Sequence, residues 1–124
     1  MQTIQNAISG KLVTSTSTRS SPVFNPATGE QIATLPLSTL AEIDAAVASA
    51  RAAQPAWGAT TPMKRARVMF KFKELLEKHA DELALILTRE QGKPLAEAKG
   101  EIIYGAGFVE FFAEEAKRIR GETA

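Results

Sequence analysis

The sequence contains no cysteine among its 124 residues. This absence excludes a disulfide framework and any thiolate metal site, and it leaves no thiol nucleophile for covalent catalysis. An excess of one sign of charge is also lacking, since the chain has 15 Lys and Arg and 14 Asp and Glu, for a formal net charge of +1. A surface that binds a polyanion normally carries a basic excess. We therefore expect no nucleic-acid partner.

Histidine and long apolar runs are equally scarce. His79 is the single histidine, and one imidazole without other clustered ligands cannot complete a metal site. We expect no metal and a structural role for His79 near a helix end. No apolar run approaches the roughly 18 residues of a membrane span, and residues 1–6 lack the pattern of a secretory signal. These features predict a cytoplasmic protein without a membrane partner.

The first third of the chain has the pattern of short β-strands. Residues 8–13 predict one short strand, and the Ser- and Thr-rich residues 14–21 are typical of an exposed loop. A small isolated hairpin is only marginally stable in water. We therefore expect these strands to need a partner sheet, from the rest of the chain or from another subunit.

A tight turn is predicted at residues 25–29, Asn-Pro-Ala-Thr-Gly. Pro26 presets φ at the first central position, and Gly29 can adopt the positive φ that returns the chain. The flanking residues 22–24 and 31–35 then form a β-hairpin. Its expected buried side chains are Val23, Ile32 and Leu35.

A first helix is predicted from a capping box in which Thr39 is the N-cap and Glu42 reaches back to its amide. An alanine-rich run carries this helix to about Gln54. Pro55 is expected to end it, because proline disrupts a helix interior. Trp57 would then lie in a loop as an anchor between helices.

The next helix is predicted to begin with Thr61 as its cap and Pro62 in its first turn. A straight helix to Gln91 would be roughly 45 Å long, so we expect a break near residues 79–81, with Asp81 capping the following helix. The predicted apolar stripe comprises Val68, Phe72, Leu75 and Leu76, continued by Leu83, Ile86 and Leu87.

A last helix is predicted over residues 94–120, after a stop at Gly92 and with Pro94 in its first turn. Glycines inside this pattern, Gly100, Gly105 and Gly107, predict close helix packing, with room for a ligand or channel as the alternative. The expected buried face comprises Ile102, Ile103, Ala106, Val109, Phe112, Ala116 and Ile119.

Two motifs of other functional classes are set aside. Residues 105–110 begin like a dinucleotide-binding glycine motif, but the third glycine and the preceding strand are missing. Residues 64–73 mix basic and aromatic side chains as nucleic-acid surfaces do, but at helical spacing the lysines form a solvated flank. We predict no cofactor-binding residues and no catalytic residues in this chain.

Several weak motifs occur in a fixed order, and the ordered set is specific. They lie at residues 25–30, 42–47, Trp57, 65–76 and 92–94. In this order they resemble the amino-terminal segment of the NAD(P)-dependent aldehyde dehydrogenase superfamily. The resemblance implies an α/β fold with a short strand, a β-hairpin and three to four amphipathic helices. These would be the outer strands and helices of a cofactor domain, so that residues 1–124 form an incomplete domain and the catalytic domain is absent.

The resemblance also implies a chemistry. Residues 87–98 and 111–118 are similar to succinate-semialdehyde dehydrogenases, whereas 21–26 and 67–73 are closer to methylmalonate-semialdehyde dehydrogenases, which acylate coenzyme A. The Glu-Gln-Gly-Lys-Pro stretch at 90–94 favours the former. The complete enzyme would oxidise a small aldehyde that carries a carboxylate, with NAD or NADP, through a cysteine thioester.

The same family implies a homo-oligomer, a dimer or tetramer, for the complete enzyme, and an inactive chain when these 124 residues stand alone. The alternative from another class is a non-catalytic helical interaction module. Two residues are carried over towards a site. Tyr104 and Phe108 match positions that line the aldehyde tunnel in relatives, and plain core packing is the alternative for both.

Overall fold

The computed structural model describes residues 2–118 and 121. It divides into two compact units, Met1–Gly58 and Ala59–Ala124. The first unit contains the β-strands and most of the first helix, and the second contains the remaining helices. This arrangement confirms the α/β class expected from the sequence.

Five short strands form two separate sheets in the first unit. They are β1 (Gln2–Thr3), β2 (Asn6–Ile8), β3 (Lys11–Val13), β4 (Ser20–Phe24) and β5 (Gln31–Pro36). The three-stranded sheet has the order β1-β5-β4, with β4 antiparallel and β1 parallel to β5. The partner that the predicted hairpin needs is therefore supplied in part by β1, which the sequence analysis missed.

The predicted single strand at residues 8–13 is wrong, because a tight turn divides it into β2 and β3. Ser9 and Gly10 both have positive φ, 54° and 72°, as a two-residue type I′ hairpin turn requires. The register pairs Asn6 with Val13 and Ile8 with Lys11. The sequence signal for this turn is a small polar residue followed by glycine, Ser9-Gly10, between two short apolar runs.

The predicted Asn-Pro-Ala-Thr-Gly turn is confirmed. Gly29 has a φ of 73°, and its N–H donates to the Asn25 carbonyl at 2.8 Å. The hairpin of β4 and β5 is confirmed as well, but its buried residue is Ala33, 7% exposed, whereas Ile32 and Leu35 are 41% and 39% exposed. Ala33 lies on the central strand between β1 and β4, where both neighbours cover it.

Helix α1 spans Leu40–Ala59 and begins with the predicted capping box. The Thr39 N–H donates to Glu42 Oε2 at 2.8 Å, and the Glu42 N–H donates to Thr39 Oγ1 at 3.3 Å. The predicted end at Pro55 is wrong, since Pro55 and Trp57 both lie inside the helix. Proline removes one helical hydrogen bond, and the alanine-rich chain around it has high enough helix propensity to continue.

The second unit contains three helices, α2 (Pro62–Lys78), α3 (Ala80–Gln91) and α4 (Leu95–Glu114), followed by a 3-10 turn at Glu115–Lys117. The predicted break is confirmed at His79, which is the N-cap of α3, so the expectation that Asp81 caps this helix is wrong. Gly92 is the predicted left-handed C-cap, with a φ of 79°. Pro94 precedes α4 as its N-cap instead of occupying its first turn.

The buried residues of the second unit are alanines. They are Ala66, Ala80, Ala84, Ala98, Ala106 and Ala113. The predicted stripe of large side chains is wrong in its main members, because Val68, Phe72, Leu75 and Ile86 are 44–52% exposed. Alanines therefore form the most buried part of the contact faces, while Leu76, Leu83 and Leu87 of the predicted stripe are half-buried.

The predicted buried face of the last helix is correct only in part. Ala106 is buried and Val109 is half-buried, but Ile103 and Phe112 are 53% and 63% exposed. Ile119 lies outside the described residues. Among the described residues, a Cβ added at Gly100, Gly105 or Gly107 would meet nothing within 4 Å, so the prediction of close packing at these glycines is also wrong.

Candidate functional site

The outer face of α4 carries a continuous apolar surface, which we call the α4 groove. It is an open depression of about 490 Å³. Its lining comprises Ile103, Tyr104, Gly107, Phe108, Phe111 and Phe112. Because helical neighbours three and four residues apart share a face, these positions lie together along almost three turns.

The two residues predicted from the sequence lie at the centre of the α4 groove. Tyr104 is 71% exposed and Phe108 is 48% exposed. Their rings meet edge to face with centroids 4.8 Å apart, a favourable arrangement for aromatic pairs. Neither ring is core in the described chain, although their role in a tunnel stays a prediction.

Of the other lining residues, the sequence analysis connects only Gly107 with room for a ligand, and it assigns Ile103, Phe111 and Phe112 to no site. Phe111 and Phe112 form a second edge-to-face pair, with centroids 5.3 Å apart. Phe111 was not considered, and Phe112 was placed on the buried face. The missed signal was that α4 is apolar on more than one side, which is typical of a helix that is covered on several sides.

Ion pairs fix α4 against the other two helices of its unit. Lys73 of α2 reaches Glu110 of α4 at 3.2 Å and Glu77 at 3.0 Å. Lys99 of α4 contacts Asp81 of α3 at 2.6 Å, and Lys93 pairs with Glu101. The hydrogen bonds to Glu77 and Glu110 raise the pKa of the Lys73 ammonium above its ordinary value, so it remains charged throughout the neutral range.

The chemistry available in the α4 groove is limited to apolar and aromatic contact. Its lining side chains offer a phenol hydroxyl as their polar group, and none of them is a carboxylate, an imidazole or a thiol. His79 pairs locally with Glu82, at 3.0 Å between Nδ1 and Oε2. Across the described residues no cluster of three or more acidic or histidine side chains could hold a metal ion. The groove is suited to binding an apolar group and lacks the groups to transform it.

The glycines of residues 105–110 are not placed as a phosphate-binding loop. Gly105 and Gly107 lie in the middle of α4, where their amides belong to the helical ladder, so they cannot cradle a phosphate as a loop at a helix N-terminus does. None of the helices in the described part of the chain is long and apolar enough to cross a membrane.

The Glu42 carboxylate is a centre of hydrogen bonding in the first unit. Besides the Thr39 amide it accepts hydrogen bonds from the Ser15 hydroxyl at 2.8 Å and the Thr16 N–H at 2.7 Å. These donors lower the pKa of Glu42 from 4.5 to about 2, with the Thr16 amide as the largest cause. A carboxylate so fully satisfied by its own chain is a structural group.

Comparison with known proteins extends over almost the whole chain. Glutarate-semialdehyde dehydrogenase of Pseudomonas putida KT2440 is 48% identical over 96% of this chain. The NADP-dependent succinate-semialdehyde dehydrogenase of Escherichia coli K12 is 44% identical over the same share. The chain spans about a quarter of the length of both relatives, 25% in each case.

Solved structures of similar fold also match this chain over its length. The provisionally named methylmalonate-semialdehyde dehydrogenase of Sinorhizobium meliloti 1021, crystallised with NAD, superposes with a TM-score of 0.93 at 45% identity. The match covers 100% of this chain and 25% of that one, and it is to the N-terminal part of the fold. The aldehyde dehydrogenase family model matches residues 12–124. The chain therefore belongs to the aldehyde dehydrogenase family.

Proposed function

We propose that this chain is the amino-terminal quarter of an oxidoreductase that oxidises a small semialdehyde to its carboxylic acid with NAD or NADP. The observation that supports this most strongly is the identity of 44–48% to two semialdehyde dehydrogenases over 96% of the chain. The longer polypeptide, here called the full-length protein, supplies the dinucleotide site and the cysteine nucleophile, since these 124 residues contain no cysteine. These 124 residues alone are inactive.

The substrate within this class is succinate semialdehyde or its one-carbon-longer homologue, glutarate semialdehyde. Both relatives named above act on dicarboxylic semialdehydes by their names, and the Glu-Gln-Gly-Lys-Pro stretch at 90–94 favours this group. The full-length protein is a cytoplasmic homo-oligomer, a dimer or tetramer. In it, Tyr104 and Phe108 line the path by which the aldehyde reaches the thiol, an assignment that their exposure in the α4 groove supports.

A second candidate is a methylmalonate-semialdehyde dehydrogenase that acylates coenzyme A. The TM-score of 0.93 to the Sinorhizobium meliloti structure favours it, as does the likeness at residues 21–26 and 67–73. The two candidates differ in the acceptor of the acyl group, which is water in the first and the coenzyme A thiol in the second.

The deciding experiment measures kcat/KM of the full-length protein for succinate, glutarate, malonate and methylmalonate semialdehydes. Each substrate is supplied with NAD or NADP, in the presence and absence of coenzyme A. We expect the highest kcat/KM with succinate or glutarate semialdehyde, a free acid as product and no requirement for coenzyme A. An acyl-coenzyme A product formed only when the thiol is added would establish the second candidate instead.

A further inference from the structure

The Glu42 carboxylate connects two parts of the first unit that are distant in sequence. One bond, from the Thr39 amide, closes the capping box of α1. The other three come from the loop that follows β3: from Ser15 Oγ at 2.8 Å, Thr16 N at 2.7 Å and Thr16 Oγ1 at 3.1 Å. Both carboxylate oxygens of Glu42 accept hydrogen bonds, and three of the four bonds come from the loop.

The loop has few other ties of long sequence separation among its described bonds. Ser15 and Ser17 bond within the loop, as the Ser17 amide donates to Ser15 Oγ at 3.1 Å and the Arg19 amide to Ser17 Oγ at 3.2 Å. Thr14 Oγ1 accepts from the Gln5 side chain at 2.7 Å. The bonds of Ser15 and Ser17 move with the loop, whereas the Gln5 bond joins Thr14 to the segment before β2. The Arg19 carbonyl accepts from the Leu37 N–H at 2.9 Å, at the end of the loop. None of these described bonds attaches residues 14–18 to α1.

We infer that Glu42 is a charge-dependent latch that holds residues 14–18 against the first turn of α1, and that neutralising it releases this segment while the hairpin of β4 and β5 stays folded. The capping box accounts for the bond from the Thr39 amide, and the three bonds from the loop are additional to it. Ionised hydrogen bonds are stronger than neutral ones, so loss of the charge weakens all four bonds together.

Protonation of the Glu42 carboxylate removes the charge on which the latch depends. The groups that face Glu42 are Ser15 and Thr16 from the loop, Thr39 from the cap, and Asn6 and Ser38, which line the adjoining groove with it. None of them titrates, so within the described residues the latch depends on Glu42 alone. Since the folded pKa is lowered from 4.5 to about 2, the latch is complete above pH 4.5 and is lost as the pH falls from there towards 2.

The test is hydrogen exchange of the full-length protein, read by mass spectrometry on peptides that cover residues 14–19 and 25–31. Glu42→Gln keeps the shape and removes the charge. Glu30→Gln is the matched control, because Glu30 accepts only a Thr28 hydroxyl, at 3.3 Å, among its described side-chain bonds. We expect exchange of the 14–19 peptide to accelerate about tenfold in Glu42→Gln, with the 25–31 peptide unchanged and no effect of Glu30→Gln.

Unchanged exchange of residues 14–19 in Glu42→Gln would overturn the inference. Equal acceleration of both peptides would do so too, because it would mean that no separate latch exists. If Glu42→Gln does not fold, the double variant Ser15→Ala, Thr16→Val removes the hydroxyl donors and leaves the capping box intact. It is expected to accelerate the same peptide by a smaller factor. In the unaltered protein, protection of residues 14–19 should fall between pH 4.5 and 2 before that of residues 25–31, and simultaneous loss would contradict the latch.

Discussion

Among single residues, Tyr104 carries the most specific prediction about substrate. Its ring is 71% exposed and paired with Phe108 on the α4 groove. In the full-length protein we expect Tyr104→Ala to raise KM for the aldehyde about tenfold, since one lost apolar contact in a binding site costs that order of affinity. The melting temperature should change little. Tyr104→Phe, which keeps the ring, serves as the control and should retain most of the affinity.

The opposite pattern would identify Tyr104 as core. If steady-state kinetics of Tyr104→Ala match those of the unaltered protein while its melting temperature falls by several degrees, the ring packs against protein and no substrate passes it. The assignment of Tyr104 and Phe108 to the aldehyde path would then be withdrawn.

Gly92 gives a prediction on backbone conformation. Its φ of 79° at the end of α3 is a conformation that a Cβ disfavours, so Gly92→Ala should lower the free energy of unfolding by about 1 kcal/mol. Gly100→Ala is the matched control, because Gly100 is inside α4 and no atom of the described residues lies within 4 Å of an added Cβ. It should raise stability by about 1 kcal/mol through helix propensity. Urea unfolding measures the free energy of unfolding of both variants. Changes of the same sign in the two variants would contradict the backbone conformations assigned to Gly92 and Gly100.

At the level of helices and strands, the ends that depend on local chemistry could be predicted. The capping box at Thr39 and the left-handed Gly92 follow from a few neighbouring residues, and both are confirmed. Pro55 shows the limit of such reasoning, because the propensity of the surrounding helix outweighs one lost hydrogen bond. The prediction of the buried faces was wrong for another reason. Helix α4 is apolar on several sides, and periodicity alone does not say which side contacts α2 and α3.

The contact between α2 and α4 yields a testable electrostatic prediction. Lys73 bridges Glu77 and Glu110, whereas Lys71 pairs only with Glu74 among the described ion pairs and is 68% exposed. We expect Lys73→Met to lower the melting temperature by about 2 °C and Lys71→Met to leave it unchanged. Since salt screens such pairs, the difference should shrink at high ionic strength. Equal melting temperatures at low salt would show that the bridge contributes nothing.

For the molecule as a whole, the important feature is how little of its large apolar surface is covered. The core of the second unit consists of alanines, while Val68, Phe72 and the α4 groove face outward. We expect the remaining three quarters of the full-length protein to cover these apolar side chains. The family could be recognised from ordered motifs such as residues 25–30 and 92–94. These motifs could not predict the α4 groove, because its aromatic pairs depend on which face of α4 is left uncovered by α2 and α3.

Exposed apolar surface of this extent predicts behaviour in solution. Contiguous apolar patches promote association, so the 124-residue chain expressed alone should form concentration-dependent oligomers in sedimentation velocity. Phe111→Glu with Phe112→Lys, at positions 58% and 63% exposed, should reduce that association. Leu12→Lys, at the 70% exposed position of β3, is the control outside the α4 groove. A stable monomer at every concentration would favour the helical interaction module.

The most direct measurement of the central claim is reduction of NAD or NADP by the full-length protein in the presence of succinate semialdehyde, compared with butanal, which has the same chain length without the carboxylate. The account predicts steady formation of the reduced cofactor, with a clearly higher kcat/KM for the semialdehyde. Absence of cofactor reduction with every semialdehyde tested, by a protein that is folded and binds the dinucleotide, would contradict it.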